Sequence, residues 1–354
     1  MPFKIIWLEL TERCNLSCPH CLVKRNSIGT DLPLEFYYRL LSEIAELEFG
    51  SIEFTGGEPL SRNDFVKIYS YAHDRGLLIS VNTNGTLISE EIAKIWQKKS
   101  PKAVKVSFYG WDEQSYDTFV QKRGAFLKFQ SGLNRIKQNK IPIKILIPPH
   151  PMLLKNAFRI KEFVQSFDFK GSISIAWNML LHSHRDIVAN QRILSFRLDP
   201  EQAARQRMKL SQEIFQDICM ISTEKAKKST KDSQLFKCVA AQGAFSVNAY
   251  GFLQPCRPLR HQDFLYDLKI GTLSDGTHKL NSRVLKTNTS NPRMLNRCCK
   301  CILRPSCSSC PATSWIENGV LDEPVEYYCE IMHKEAYWLG LLPKGVKGWK
   351  TNIA

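Results

Sequence analysis

Between residues 4 and 176, short apolar β-prone runs alternate with longer segments whose apolar residues recur every three or four positions. That alternation restricts the chain to an α/β fold with a parallel sheet, because a period of two and a period of 3.6 cannot describe the same element. The strand segments are Lys4–Leu10, Ser51–Thr55, Leu77–Asn82, Ala103–Phe108, Ile143–Ile147 and Ser172–Ala176. Between them, helical patterns cover Leu34–Phe49, Arg62–Arg75, Ser89–Lys99, Ala125–Gln138 and Leu154–Phe167. In the first of these, Phe36, Leu40, Leu41, Ile44 and Leu47 share a face, with Pro33 before it and Gly50 after it. Right-handed crossovers wind such units into an open sheet or a partial parallel (β/α)6 barrel. The loops at the C-terminal ends of its strands are then the place for function.

The first such loop carries Cys14-Asn-Leu-Ser-Cys18-Pro-His-Cys21, a CxxxCxxC triad. Proteins usually hold a [4Fe–4S] cluster with four cysteines, so three leave one iron open to a substrate or cofactor. A structural zinc site is normally closed by four side chains. The available fourth, His20, adjoins Cys21 and is poorly placed to share a tetrahedral ion with it. The spacing therefore favours iron–sulfur over zinc. The second strand ends in Thr55-Gly56-Gly57-Glu58-Pro59, where a glycine pair lets backbone approach a ligand with its peptide groups free.

The rest of the chain sets the context. A hydrophobic fraction of 43% and a charged fraction of 23% over 354 residues are those of a globular protein. No apolar run reaches the roughly 18 residues a membrane span needs, and Glu9, Glu12 and Arg13 interrupt the only early apolar stretch, so a cytoplasmic location is expected. In such a compartment twelve cysteines point to metal or catalysis, not to disulfides. The net charge of +15 suits an anionic partner. Its basic residues are dispersed, with one concentration at Lys225, Lys227, Lys228 and Lys231, so nucleic acid is not expected. Asp199-Pro200-Glu201 caps a long helix running to about Lys228.

After Leu235 the composition changes, and seven of the twelve cysteines fall between Cys238 and Cys310, with Cys329 following. The organisation expected is a barrel core over 1–185, a helical connector over 186–235, a small cysteine-rich domain over 236–335 and a tail over 336–354. Taken alone, the two CxxC pairs Cys298/Cys301 and Cys307/Cys310 suit a zinc knuckle.

The triad followed some 35 residues later by Gly-Gly-Glu-Pro, on successive strands of a βα array, resembles the radical S-adenosylmethionine (SAM) superfamily. That resemblance implies that Cys14, Cys18 and Cys21 hold a [4Fe–4S] cluster whose open iron is chelated by SAM. It also implies that the segment Gly56, Gly57, Glu58, Pro59 receives the SAM amino group. Asn84 in Asn82-Thr83-Asn84-Gly85-Thr86, Ser107 at the end of the fourth strand, and Arg123 in Lys122-Arg123-Gly124 are the further SAM contacts implied, the last through the SAM carboxylate. The family commonly has an apolar aromatic residue where His20 stands, and an imidazole can still pack against adenine.

The pattern Cys238, Gly251, Cys256, Cys298, Cys301, Cys307, Cys310, Cys329 resembles the SPASM extension of peptide-modifying members, with two residues instead of three between Cys307 and Cys310. By that resemblance Cys298, Cys301, Cys307 and Cys329 bind one auxiliary [4Fe–4S] cluster, and Cys238, Cys256 and Cys310 supply three ligands to a second. Cys219 and Cys299 are spares. The implied activity is reductive cleavage of SAM to a 5′-deoxyadenosyl radical, which abstracts hydrogen from a substrate, first of all a peptide or protein as in maturation of ribosomal peptides. The implied reductant is a flavodoxin- or ferredoxin-like electron donor. A leader-peptide recognition domain often precedes the triad in such enzymes; with thirteen residues there, a separate leader-peptide-binding protein is the expected partner, if there is one. Relatives that mature sulfatases carry an acidic residue where Arg257 follows Cys256. The alternative substrate is a small molecule such as a tetrapyrrole side chain, whose carboxylates Arg257, Arg260, His182 and His184 would bind. A zinc-stabilised binding protein is the non-enzymatic alternative.

Overall fold

The computed structural model describes residues 4–21, 31–148, 150–167, 193–213 and 233–351. Its spine is one eight-stranded sheet. Strands β1 (Ile5–Glu9), β2 (Ser51–Thr55), β3 (Leu78–Thr83), β4 (Ala103–Ser107), β5 (Ile143–Leu146), β6 (Ala244–Val247), β7 (Phe252–Gln254) and β8 (Tyr266–Asp267) lie in the order β5-β4-β3-β2-β1-β6-β7-β8. All pairings from β5 across to β6 are parallel, and β7 and β8 continue antiparallel. This is the mainly parallel sheet of a partial barrel, as the βα alternation requires. The sixth expected strand, Ser172–Ala176, lies outside the described residues, as do His182, His184, Cys219 and the lysine-rich stretch.

Helices cover the sheet where the periodicity puts them. Helix Leu34–Glu46 buries Phe36, Tyr37, Leu40, Leu41 and Ile44. Helix Glu90–Lys98 is capped by Ser89, whose hydroxyl accepts from Ile92 N, and buries Ile92, Ala93 and Trp96. Each large apolar side chain so buried contributes about 1.5–3 kcal/mol. All five residues of β2 are buried, as befits a strand covered on both faces.

Two local readings differ from the pattern, and a third, the long helix, is described only in part. The segment after β4 contains an additional helix, Glu113–Val120, started by a reciprocal capping box between Asp112 and Ser115. The expected helix Leu154–Phe167 is two, Pro151–Lys155 and Ala157–Ser166, separated at Asn156, whose amide donates to Met152 O at 2.8 Å and competes with the backbone. The long helix is described over Pro200–Glu213, with Asp199 Oδ1 accepting from the amides of Glu201 and Gln202 as its cap.

The pattern marks no strand after residue 235, yet β6 pairs with β1 in parallel register, Ile5 opposite Ala244 and Leu8 opposite Val247. The cysteine-rich region thus extends the same sheet, and β1 has neighbours on both sides. Among the described residues no helix is long and apolar enough to cross a membrane.

Ionic contacts reinforce the junction at the end of β1. Arg260 pairs with Glu9 through Nη2 and with Glu12 Oε1 at 3.2 Å, and the Tyr250 hydroxyl donates to Glu12 Oε2 at 2.6 Å. Both glutamates are buried, so removing Arg260 takes away one source of charge compensation from two desolvated carboxylates. Arg260→Met is therefore expected to lower stability by about 3 kcal/mol, read as the urea midpoint of the apoprotein; a midpoint unchanged from wild type would show that the clamp adds nothing.

Candidate functional site

The loop after β1 is held from several sides before any ligand is considered. Leu10 O, at the strand end, accepts from the Tyr37 hydroxyl and from Arg62 Nη1, both at 3.0 Å. Arg62 also donates to Leu32 O at 3.0 Å, forks onto Asp64 and lies over the Tyr37 ring. From the β2 end, Gly57 N donates to Thr11 O and Glu58 N to Arg13 O, each at 2.7 Å.

The glycine pair is explained by that contact. A Cβ at Gly56 would meet Thr11 O at 2.3 Å, and one at Gly57 would meet Arg13 O at 2.2 Å; Gly56 also has φ +137°. The backbone these glycines admit is the chain's own residues 11–13, and the amides of Gly57 and Glu58 are already engaged there.

Glu58 is buried and accepts from Leu60 N at 3.0 Å, Thr83 Oγ1 at 2.8 Å and Asn84 N at 2.7 Å. Its carboxylate therefore brackets the ends of β2 and β3 together. Burial raises its pKa to about 7 against those three hydrogen bonds. Asn84 in turn donates to Asn15 Oδ1 at 2.8 Å and lies 3.9 Å from Cys14 Sγ.

These constraints surround a cavity of about 240 Å³ lined by Cys14, Cys18, Cys21, Leu16, His20, Thr55, Gly56, Gly57, Asn82, Thr83, Asn84, Ser107, Tyr109, Leu146 and Arg257. All three triad cysteines thus face one space at the C-terminal ends of β1 to β5. Gly56, Gly57, Asn84 and Ser107 line it as well, whereas Glu58 and Pro59 stand behind the wall.

Arg123 is not brought there. It is exposed on a turn drawn outward by Asp117, whose carboxylate accepts from Gly124 N and, at 2.8 Å, from Phe126 N. Its neighbour Lys122 donates to Asn15 O at 2.9 Å. The cation at the cavity is Arg257, from the loop after β7.

Three side chains in the wall hold polar atoms buried without hydrogen bonds: His20 Nδ1, Asn82 Oδ1 and Arg257 Nε. The other end of Asn82 donates to Glu53 Oε1 at 2.6 Å, so its free oxygen is fixed in place. His20 sits beside the rings of Tyr109 and Phe119, at 5.7 and 5.2 Å. Burial first, and His150 second, lower its pKa to about 3, so the imidazole is neutral at pH 7. Buried polar atoms are rarely left unpaired, and three thiols facing one space beside the unpaired His20 Nδ1 and Asn82 Oδ1 fit an iron–sulfur cluster carrying a polar organic ligand.

The later cysteines gather into two groups. Cys298 is pushed up to about 12 by burial, then by the charges of Cys329 and Cys301; burial raises Cys307 further, with Cys298, Cys301 and Cys329 adding to it. Cys256 is likewise pushed up to about 12 by burial, then by Cys310 and by Cys238. Cys238, Cys298, Cys301, Cys307, Cys310 and Cys329 border one further cavity of about 130 Å³. Thiols raised this far become thiolates only around a metal's positive charge. Among the described residues no three His, Cys, Asp or Glu side chains close on a single-ion site. Cys299 is buried in the apolar core. Arg297, which spacing did not single out, is paired with Glu326 and points Nη2 at Cys329 Sγ from 3.7 Å.

Comparison with known proteins agrees with this geometry. Residues 8–159 match the family model described as Radical SAM superfamily, so that segment is a radical SAM domain. The chain is 33% identical over 141 residues to Fe-coproporphyrin III synthase of Methanosarcina barkeri, covering 39% of this chain and 35% of that protein. It is 28% identical over 160 residues to PqqA peptide cyclase of Granulibacter bethesdensis, covering 45% and 43%. The chain thus spans well under half the length of these curated relatives. The fold as a whole is similar to Streptococcus suis SuiB bound to S-adenosylmethionine, with TM-score 0.68 and 15% identity over 89% of this chain and 74% of that one. The same protein is also solved bound to precursor peptide SuiA, with TM-score 0.67, 14% identity, and 90% and 74% covered.

Two outcomes follow from the wall. Gly57→Ala is expected to displace residues 11–13 and remove roughly four irons per chain after anaerobic reconstitution. Gly76→Ala, where an added Cβ meets nothing within 4 Å and the cost is the local one of a left-handed φ of +76°, keeps them; equal iron in both variants would refute the packing argument. Glu58 has a folded pKa raised to about 7 from 4.5, so the stability it contributes is complete below about pH 4.5 and is lost as pH rises through 7. Glu58→Gln, whose amide would face donors, should cost about 2 kcal/mol at pH 5 and distinctly less at pH 8. Equal losses at both pH values in urea unfolding would contradict this.

Proposed function

We propose that this chain is a radical SAM enzyme that abstracts a hydrogen atom from a peptide or protein substrate. The observation that carries the reading is the convergence of Cys14, Cys18 and Cys21 on one polar-lined cavity with Gly56, Gly57, Asn84 and Ser107. Three cysteines would hold the cluster and leave SAM to complete it. With both bound, the pair supplies one-electron cleavage of SAM and a radical able to take hydrogen from an unactivated carbon.

The chain's own part is to bind, orient and exclude. Gly56 and Gly57 keep the cysteine loop against β2; Asn82 and neutral His20 offer an acceptor and a ring nitrogen to SAM; Tyr109 and Phe119 keep water from that side. Cys298, Cys301, Cys307 and Cys329 would hold one auxiliary cluster, and Cys238, Cys256 and Cys310 three corners of another, to take up or relay electrons. A flavodoxin- or ferredoxin-like donor suits the net charge of +15. Support for a peptide substrate comes from the likeness to PqqA peptide cyclase and to SuiB. The likeness to Fe-coproporphyrin III synthase favours a second reading, a tetrapyrrole side chain.

The test is anaerobic reconstitution with iron and sulfide, then incubation with SAM and dithionite while 5′-deoxyadenosine is followed by mass spectrometry. Wild type is expected to bind roughly twelve irons for three clusters and to release 5′-deoxyadenosine. Cys14→Ala, Cys18→Ala and Cys21→Ala should each abolish release while retaining the irons of the later cysteines. Zinc in place of iron, or SAM cleavage that survives these substitutions, would overturn the reading.

A further inference from the structure

We propose that Arg257 seats a carboxylate of the substrate at the wall of the triad cavity, an inference that rests on the functional reading above and narrows the substrate to one bearing an acidic group there. Among the described residues lining that cavity, Arg257 is the only Lys or Arg, and none is Asp or Glu. A guanidinium placed for structure alone normally has its fork filled, and Arg260, three residues on, is filled in that way by Glu9 and Glu12. Arg257 is not. Its one ionic contact runs from Nε to Glu9 Oε1 at 3.6 Å, and Nε is buried without a hydrogen bond. Neither Nη group makes a hydrogen bond or ion pair with the described residues, and the side chain, 35% exposed, lines the cavity. A planar fork of parallel N–H donors matches a carboxylate in bidentate fashion, which a lysine cannot reproduce.

The backbone beneath Arg257 is fixed. Fully buried Gln254 donates through Nε2 to Cys256 O and to Arg257 O, both at 2.9 Å, so the guanidinium is presented from a rigid corner. Glu9, shared with Arg260, balances charge from behind without occupying the fork. The arginine also belongs to the cysteine-rich region while the triad belongs to the first βα loop. Only an occupant reaching from one to the other touches both.

Two sources of carboxylate are compatible with this corner, an acidic side chain of a peptide and a propionate of a tetrapyrrole. Anaerobically reconstituted full-length protein with SAM bound is titrated calorimetrically with four probes. These are N-acetyl hexaglutamate amide, the corresponding hexaglutamine, coproporphyrin III and its tetramethyl ester. In wild type at least one acidic probe should bind about tenfold more tightly than its neutral partner, the worth of roughly one charge-assisted hydrogen bond. A preference in the peptide pair assigns a peptide side chain, and one in the porphyrin pair assigns a propionate. Arg257→Gln should reduce the preference to below about twofold, and Arg257→Lys should keep only part of it.

No acidic preference in wild type overturns the proposal without recourse to any variant. So does a preference that survives in Arg257→Gln with its iron content intact. A third contrary result is an Arg257→Gln variant that loses SAM affinity and keeps the acidic preference, which would give the guanidinium to the SAM carboxylate. Failure of the functional reading shows separately, as absent iron or absent 5′-deoxyadenosine.

Discussion

Strand β1 is hydrogen-bonded on both sides, to β2 and to β6, and the four residues after it, Leu10 to Arg13, are where the rest of the molecule is tied together. Buried peptide groups must find partners, and those at this strand end find them in separate elements. Leu10 O is taken by Tyr37 and Arg62, Thr11 O by Gly57, and Arg13 O by Glu58. Glu9 and Glu12 meet Arg260 across the β1–β6 junction. The cysteine loop therefore leaves from a point that cannot shift without breaking contacts to helix Leu34–Glu46, to the β2 loop and to the cysteine-rich region at once.

That rigidity gives the cavity its character. Side chains that would neutralise one another are kept apart: the carboxylate of Glu58 is spent on Thr83 and Asn84, and those of Glu9 and Glu12 on Arg260. What faces the space is a neutral imidazole, an amide oxygen, three thiols and one underused guanidinium. Such a wall suits a bound group that is itself polar and charged and must be held in one orientation. Among the later cysteines Cys256, Cys298 and Cys307 have the same logic: burial makes their thiolates costly in the absence of a cationic centre.

Much of this was legible beforehand because it is local. Five of the strand segments follow from β-branched and aromatic runs, and the observed bounds differ by a residue or so. The glycine pair marked a close approach, though of backbone to backbone. The place of Arg123 outside the cavity lining was not legible, because a cation on a loop has no periodicity to orient it; its turn is fixed by Asp117, six residues earlier, which accepts from the amides of Gly124 and Phe126. The helix Glu113–Val120 announced itself only through the Asp112 and Ser115 capping pair, a signal easily passed over between two stronger ones.

By itself the sequence determined the alternation of strand and helix, the triad at the first strand's end and the supply of later cysteines, because each depends on spacing along the chain. The tertiary structure alone decided that Ala244–Val247 would lie beside Ile5–Glu9, a pairing across more than 200 residues that no local preference encodes. It also decided which cysteines gather together, and that Arg257 would reach the cavity while Arg260 closed on Glu9 and Glu12. Long-range pairing of this kind is set by which buried backbone edge and which buried charge remain to be satisfied once the local elements have formed.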